Sequence, residues 1–91
     1  MNELNKAIAQ NKNSKPYYRK IIVDFLVQLT TEGKYRSLRT FKQSGDKLTL
    51  EQKETLRAYT DSIICMLQAG LAFHEIKAFL TKEKAVNAPQ Q

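Results

Sequence analysis

Between Tyr18 and Leu29 the apolar residues recur at spacings of three and four, and this period fixes the class of fold open to the chain. At 100° per residue, Tyr18, Ile21, Ile22, Phe25, Leu26 and Leu29 share one arc of a helix, while Asp24 and Gln28 fall outside it. The run from Ile21 to Val27 is rich in β-branched residues, yet it continues to Leu29 without a turn signal, which favours helix over strand. Ser14 followed by Pro16 marks a helix start, because proline's fixed φ suits the first turn and its missing N–H is not needed there. The helix is expected to run to about Glu32, with Gly33 as the C′ residue. Val23 and Val27 form a second apolar strip on the far side, more than a three-helix monomer easily covers. A further helix or a second subunit is expected against it.

The rest of the chain repeats the helical period in shorter pieces. Residues 34–43 place Tyr35, Leu38 and Phe41 three apart, so a short helix there would turn Arg36, Arg39, Thr40 and Gln43 outward, with Lys34 and Lys42 beside the seam. Ser44-Gly45-Asp46 is turn chemistry, and Thr49 with Gln52 three residues on has the form of a capping box. The helix it opens, about 50–69, carries Leu56, Tyr59, Ile63, Met66 and Leu67 on one face. Its other face is a stripe of small residues, Ala58, Ser62, Cys65 and Ala69, against which another helix can pack closely. Gly70 ends this helix, and a last one, about 72–84, sends Phe73, Ile76, Phe79 and Leu80 inward.

The expected fold is therefore all-α: a small three- to four-helix bundle with a glycine-turn αα-hairpin in its C-terminal half. Ninety-one residues suffice for one core and no more. Residues 14–84 form the single helical domain in this reading. Residues 1–13, rich in Asn, Lys and Gln with only Leu4 and Ile8 at helical spacing, read as a flexible basic arm, and 85–91 as a disordered tail. No apolar run approaches the length of a bilayer span. Cys65 is the one cysteine, and the first residues lack the apolar segment of a secretory signal, so a reducing, cytoplasmic setting is expected.

Catalytic and metal chemistry find little to stand on. His74-Glu75 begins like the zinc-protease helix motif, which needs a second histidine one turn later to share the metal, and position 78 is alanine. Cys65 in a stripe of small residues reads as packing rather than as a nucleophile, and Asp61-Ser62 as a polar step on a helix. The three glycines lie too far apart for a phosphate loop. A non-enzymatic protein without cofactor or metal is expected.

Charge is the stronger signal. Residues 1–47 carry ten basic side chains against four acidic ones, whereas residues 48–91 balance at five each, so the whole net charge of +6 belongs to the first half. Several excess charges are common on soluble proteins for solubility alone, but this segregation also suits a polyanionic partner. Arg36 and Arg39, one turn apart on the short helix with Gln43 beyond, offer guanidinium forks for phosphate or guanine and an amide for adenine. Lys34, Lys42, Arg19 and Lys20 extend that surface, and Tyr17 and Tyr18 beside Arg19 can stack bases of a single strand, one tyrosine being core and the other rim.

The stretch from Cys65 to Ile76 also resembles part of a helix-turn-helix, with a glycine in the turn and an apolar residue six positions later. It has Met66 where that motif usually places alanine, and its second helix balances Lys77, Lys82 and Lys84 against Glu75 and Glu83. A plain αα-hairpin explains it as well. The expectation is a basic helical regulator that binds nucleic acid, DNA ahead of RNA, as a homodimer and without a membrane. The alternatives are an adaptor or inhibitor docking an acidic protein surface, or an accessory subunit of a larger nucleoprotein assembly.

Overall fold

The helical period is realised as five α-helices in the computed structural model, which describes residues 2–87, with side chains from 3 to 81. They are α1 (Asn2–Gln10), α2 (Tyr18–Thr30), α3 (Leu38–Ser44), α4 (Leu50–Gln68) and α5 (Phe73–Asn87), with no strand among the described residues. The fold is a small all-α bundle. The apolar arc of α2 packs on α4, α1 lies along α4, α5 closes on both α2 and α4, and α3 rests on α2. Ile22, Leu26, Ile63, Leu67 and Ile76 are almost wholly withdrawn from solvent at the centre.

The first departure from the sequence reading is α1. Residues 2–10 are helical, and Leu4, Ala7 and Ile8, spaced three and one apart, bury one face in the common core. Lys6 and Gln10 stay outside. Asn11, just past the helix, is buried; its Nδ2 donates to the carbonyls of Leu67 and Leu71, both at 2.9 Å, and its Oδ1 accepts the Asn13 N–H at 2.8 Å. Asn13 Nδ2 donates to the Gly70 carbonyl at 3.0 Å. Asn11 and Asn13 of the supposed arm thus add side-chain donors to carbonyls of the turn that follows α4.

Helices α2 and α4 close with the same hydrogen-bond pattern but different residues in the left-handed position. After α4, Gly70 (φ 92°) donates to Leu67 O at 3.0 Å and Leu71 to Met66 O at 3.1 Å, the Schellman arrangement. After α2, Glu32 donates to Leu29 O at 3.4 Å and Gly33 to Gln28 O at 2.8 Å, so Glu32 (φ 54°), not Gly33, takes the C′ position. A side chain in that region costs roughly 1 kcal/mol. Glu32→Gly is therefore expected to stabilise the domain by roughly 1 kcal/mol, a rise of roughly 4–8 °C in the thermal midpoint. Gly70→Ala is expected to lose a similar amount, because a Cβ there meets no neighbour and only the backbone strain remains. Circular dichroism melts of the two variants against the parent check both signs.

At the other boundaries the structure is more selective than the pattern. The capping box opening α4 is present, with Thr49 and Gln52 exchanging side chain-to-backbone bonds of 3.0 and 2.9 Å. Helix α2 begins later than Ser14 and Pro16 suggest: Tyr17 is its N-cap, without a side-chain bond. The short helix starts only at Leu38, capped by Ser37, whose Oγ accepts the Thr40 N–H at 3.1 Å. It has no fully buried residue. Beneath it Val27, Leu38, Phe41, Leu48 and Leu56 line an apolar cavity of about 70 Å³, so Val27 of the second strip of α2 is covered from within the chain, whereas Val23 lines an open cleft between α2 and α3.

Two expected contacts are not made. Phe79 is half exposed, because Ile76 and Leu80 take the inward face of α5. The small stripe of α4, Ala58, Ser62, Cys65 and Ala69, also faces solvent, since α1 and α2 both use the side of α4 that carries Ile63 and Leu67. Helix α5 continues to Asn87, past the point where a tail was expected; residues 88–91 lie outside the described residues. No helix is long and apolar enough to cross a membrane among the described residues.

Candidate nucleic-acid interface

The α2–α3 packing brings the amino-terminal turn of α2 against the start of α3 and creates a cleft lined by Pro16, Arg19, Lys20, Val23, Asp24, Leu38 and Arg39. Three of the seven candidate residues, Arg19, Lys20 and Arg39, meet there, although nearly twenty residues separate them in the chain. Of the apolar members, Pro16 precedes α2, Val23 lies on its outer side and Leu38 is the first residue of α3.

Asp24 organises this junction, a role that nothing in its sequence position signals beyond a place outside the apolar arc. Its Oδ1 accepts the backbone N–H of Leu38 at 3.0 Å, satisfying a donor at the first turn of α3, and its Oδ2 pairs with Lys20 Nζ at 2.9 Å. Burial acts to raise the pKa of this carboxyl, but the Leu38 hydrogen bond and the hydrogen bond and charge of Lys20 outweigh it, so the group titrates below the ordinary aspartate value. Asp24 is consequently an anion at neutral pH, and it holds α3 on α2. Lys20 balances it, while Arg19 bonds through Nε to Asn5 Oδ1 at 3.0 Å, linking α1 to the same edge. No carboxylate pairs with Arg19 or Arg39 among the described residues.

Of the other four candidates, Lys34, Lys42 and Gln43 lie around the far end of α3 and Arg36 just ahead of its start. Lys34 stands 3.4 Å from Asp46 Oδ2, with its ammonium 5.5 Å from the centre of the Tyr35 ring. The Tyr35 hydroxyl also donates to Asp46, and these two donors, tyrosine first, hold the Asp46 carboxyl below its usual range. Tyr35 packs edge-on against Phe41, 5.3 Å between ring centres, so this cluster pins the α2–α3 connection to the end of α3. Lys42 and Gln43 are exposed on α3.

Arg36 requires a correction: it precedes the Ser37 cap and is not on the helix, so it does not stand one turn from Arg39. Its side chain is exposed, while its carbonyl accepts from Gln28 Nε2 at 3.0 Å. Ser37 at the cap, with the N–H of Thr40 on its hydroxyl, is what excludes Arg36 from the helix.

The charge of the clefts differs along α2. At its carboxyl end a second cleft is lined by Thr30, Glu32, Thr49, Glu51, Gln52, Thr55 and Tyr59 and contains carboxylates but no cation. A third, between α1 and α4, mixes Lys6 with Glu3 and Asp61. Only the α2–α3 cleft carries a cationic excess among these. Tyr17, next in the chain to Pro16 of this cleft, is 56% exposed, while Tyr18 is buried. No family model matches the chain, and no curated protein or solved structure matches it at a significant level.

Proposed function

We propose that this protein is a small non-catalytic regulator that binds nucleic acid through the cationic cleft between α2 and α3. The observation that carries this reading is the convergence of Arg19, Lys20 and Arg39 in one concave surface that holds a single carboxylate, Asp24, already engaged by Lys20 and a backbone N–H. Arg19 and Arg39 keep guanidinium donors for phosphate oxygens, which they can meet in bidentate fashion. Lys42, Gln43, Arg36 and Lys34 extend the exposed polar surface beyond the cleft, where they add backbone contacts rather than a second centre. Helix α3 covers Val27 of the second apolar strip of α2, and Val23 stays in the wall of the cleft.

Fluorescence anisotropy with labelled oligonucleotides at low salt tests it. Affinity is expected to fall with salt, with a log–log slope of about −0.9 per neutralised phosphate on a duplex and about −0.7 on a single strand. Arg19→Glu combined with Arg39→Glu is expected to weaken binding by on the order of 100-fold and to flatten that slope. The helical circular dichroism should be unchanged, because both side chains are exposed. Absence of binding to every oligonucleotide at low salt would reject the proposal and leave an acidic protein surface as the partner that fits the same charges.

A further inference from the structure

We infer that the nucleic acid this cleft accepts is single-stranded, with Tyr17 stacking one of its unpaired bases. The inference rests on the cleft as the binding surface and adds what kind of strand it takes. A surface built only to meet a duplex backbone needs cations, hydroxyls and amides, since a duplex turns its phosphates outward and keeps its base faces stacked inside. Here the cations Arg19, Lys20 and Arg39 stand among Pro16, Val23 and Leu38, which offer nothing to a phosphate and a matching surface to the flat face of a base.

Tyr17 supplies the stacking partner. Among the described residues the large apolar side chains left exposed are Tyr17, Leu50 and Phe79; the latter two belong to α4 and α5, while Tyr17 adjoins Pro16 and lies two residues before Arg19. Its ring leans on that of Tyr18, 6.0 Å between centres at 59°. Tyr18 in turn is fixed in the core: its ring lies 6.4 Å from that of Phe73, and its hydroxyl accepts the Phe73 N–H at 3.2 Å. A half-exposed aromatic ring supported from behind by a buried one is held in place with little freedom left to lose, which is the condition under which stacking contributes most.

Helix α3 also argues against a duplex reader. At seven residues it is roughly 10 Å long, and the backbone N–H of Leu38 at its start is engaged by Asp24 and not free for a phosphate.

The test compares a polythymidine strand of roughly 12 nucleotides with a duplex of the same length, in the same low-salt buffer. The expected result is tighter binding of the single strand, accompanied by quenching of tyrosine emission, which is readable because the chain has four tyrosines and no tryptophan. Tyr17→Ala is expected to lower the single-strand affinity by roughly 5- to 100-fold and to remove most of the quenching, while Tyr17→Phe retains the affinity. Equal or tighter binding of the duplex, or a Tyr17→Ala protein that binds the single strand as well as the parent, overturns the inference. If the Arg19→Glu, Arg39→Glu protein still loses binding in that case, the nucleic-acid reading stands without it; if the charge reversal changes nothing, that reading falls as well.

Discussion

Asn11→Asp is expected to destabilise the domain by about 3–5 kcal/mol, although it exchanges one amide group for an oxygen of similar size. The Asn11 side chain is buried and its Nδ2 donates at 2.9 Å to two carbonyls, Leu67 and Leu71, that flank the turn between α4 and α5. A carboxylate has no donor to offer, so the substitution sets a buried charge against two carbonyl oxygens. Burial and those dipoles raise the pKa of the introduced carboxyl above its unfolded value. The variant therefore regains part of its stability as pH falls below that raised value, because the protonated form can donate to one of the two carbonyls. Asn11→Ala, which removes the hydrogen bonds without adding charge, is expected to cost about 2–3 kcal/mol at any pH. Urea unfolding followed by helical circular dichroism at neutral and at mildly acidic pH separates the two variants. Equal stability of parent and Asn11→Asp at neutral pH would show that this asparagine does not join the α1–α2 connection to the α4–α5 turn.

The second large effect is expected at Leu4. Its side chain is almost fully buried with Ala7 and Ile8 from α1, in the same cluster as Ile63 and Leu67 of α4. Leu4→Ala should cost about 2–4 kcal/mol, the loss typical of a truncated core leucine with a cavity left behind. A leucine in a mobile arm would change stability by less than about 0.5 kcal/mol, so the midpoint of urea unfolding decides between the two. Lys12→Ala, at an exposed position just past α1, is the control and is expected to leave the midpoint in place.

Leu4 also shows why the amino-terminal segment reads differently in sequence and in space. Its three buried positions, Leu4, Ala7 and Ile8, are a short signal among Asn, Lys and Gln residues, and a helix of nine residues is not stable in isolation. What makes it a helix is the surface of α4 against which it packs, and that surface is assembled from residues some sixty positions away. The long amphipathic helices carry their own evidence. The arc from Tyr18 to Leu29, the Thr49–Gln52 capping box and the glycine turn at Gly70 all correspond to what the structure contains. Thr49 and Gln52 suffice by themselves to mark a boundary, because the bonds they exchange span three residues. The C′ position after α2 was legible only to within one residue, since Glu32 and Gly33 both take positive φ and the pattern of open carbonyls selects which one ends the helix.

The candidate site divides along the same line. That Arg19, Lys20 and Arg39 are exposed cations follows from their positions off the apolar faces, and so does the core role of Tyr18 beside a rim Tyr17. Their meeting in a cleft depends on Asp24, which holds the first turn of α3 on α2 across fourteen residues. The same holds for Arg36, which the Ser37 cap leaves outside the helix that its spacing to Arg39 suggested.

Periodicity, caps and charge act over one or two turns of chain, so the helical class, the long helices with their buried faces and the concentration of positive charge in the first half are written in the local order of residues. Contacts between distant segments set the rest: residues 2–10 join the core, α3 covers Val27 on the far side of α2, and Arg19, Lys20 and Arg39 share a cleft. Those outcomes depend on a few hydrogen bonds and buried side chains between distant segments, from Asn11, Asp24 and Leu4, and a contact of that kind leaves no period in the sequence from which to read it.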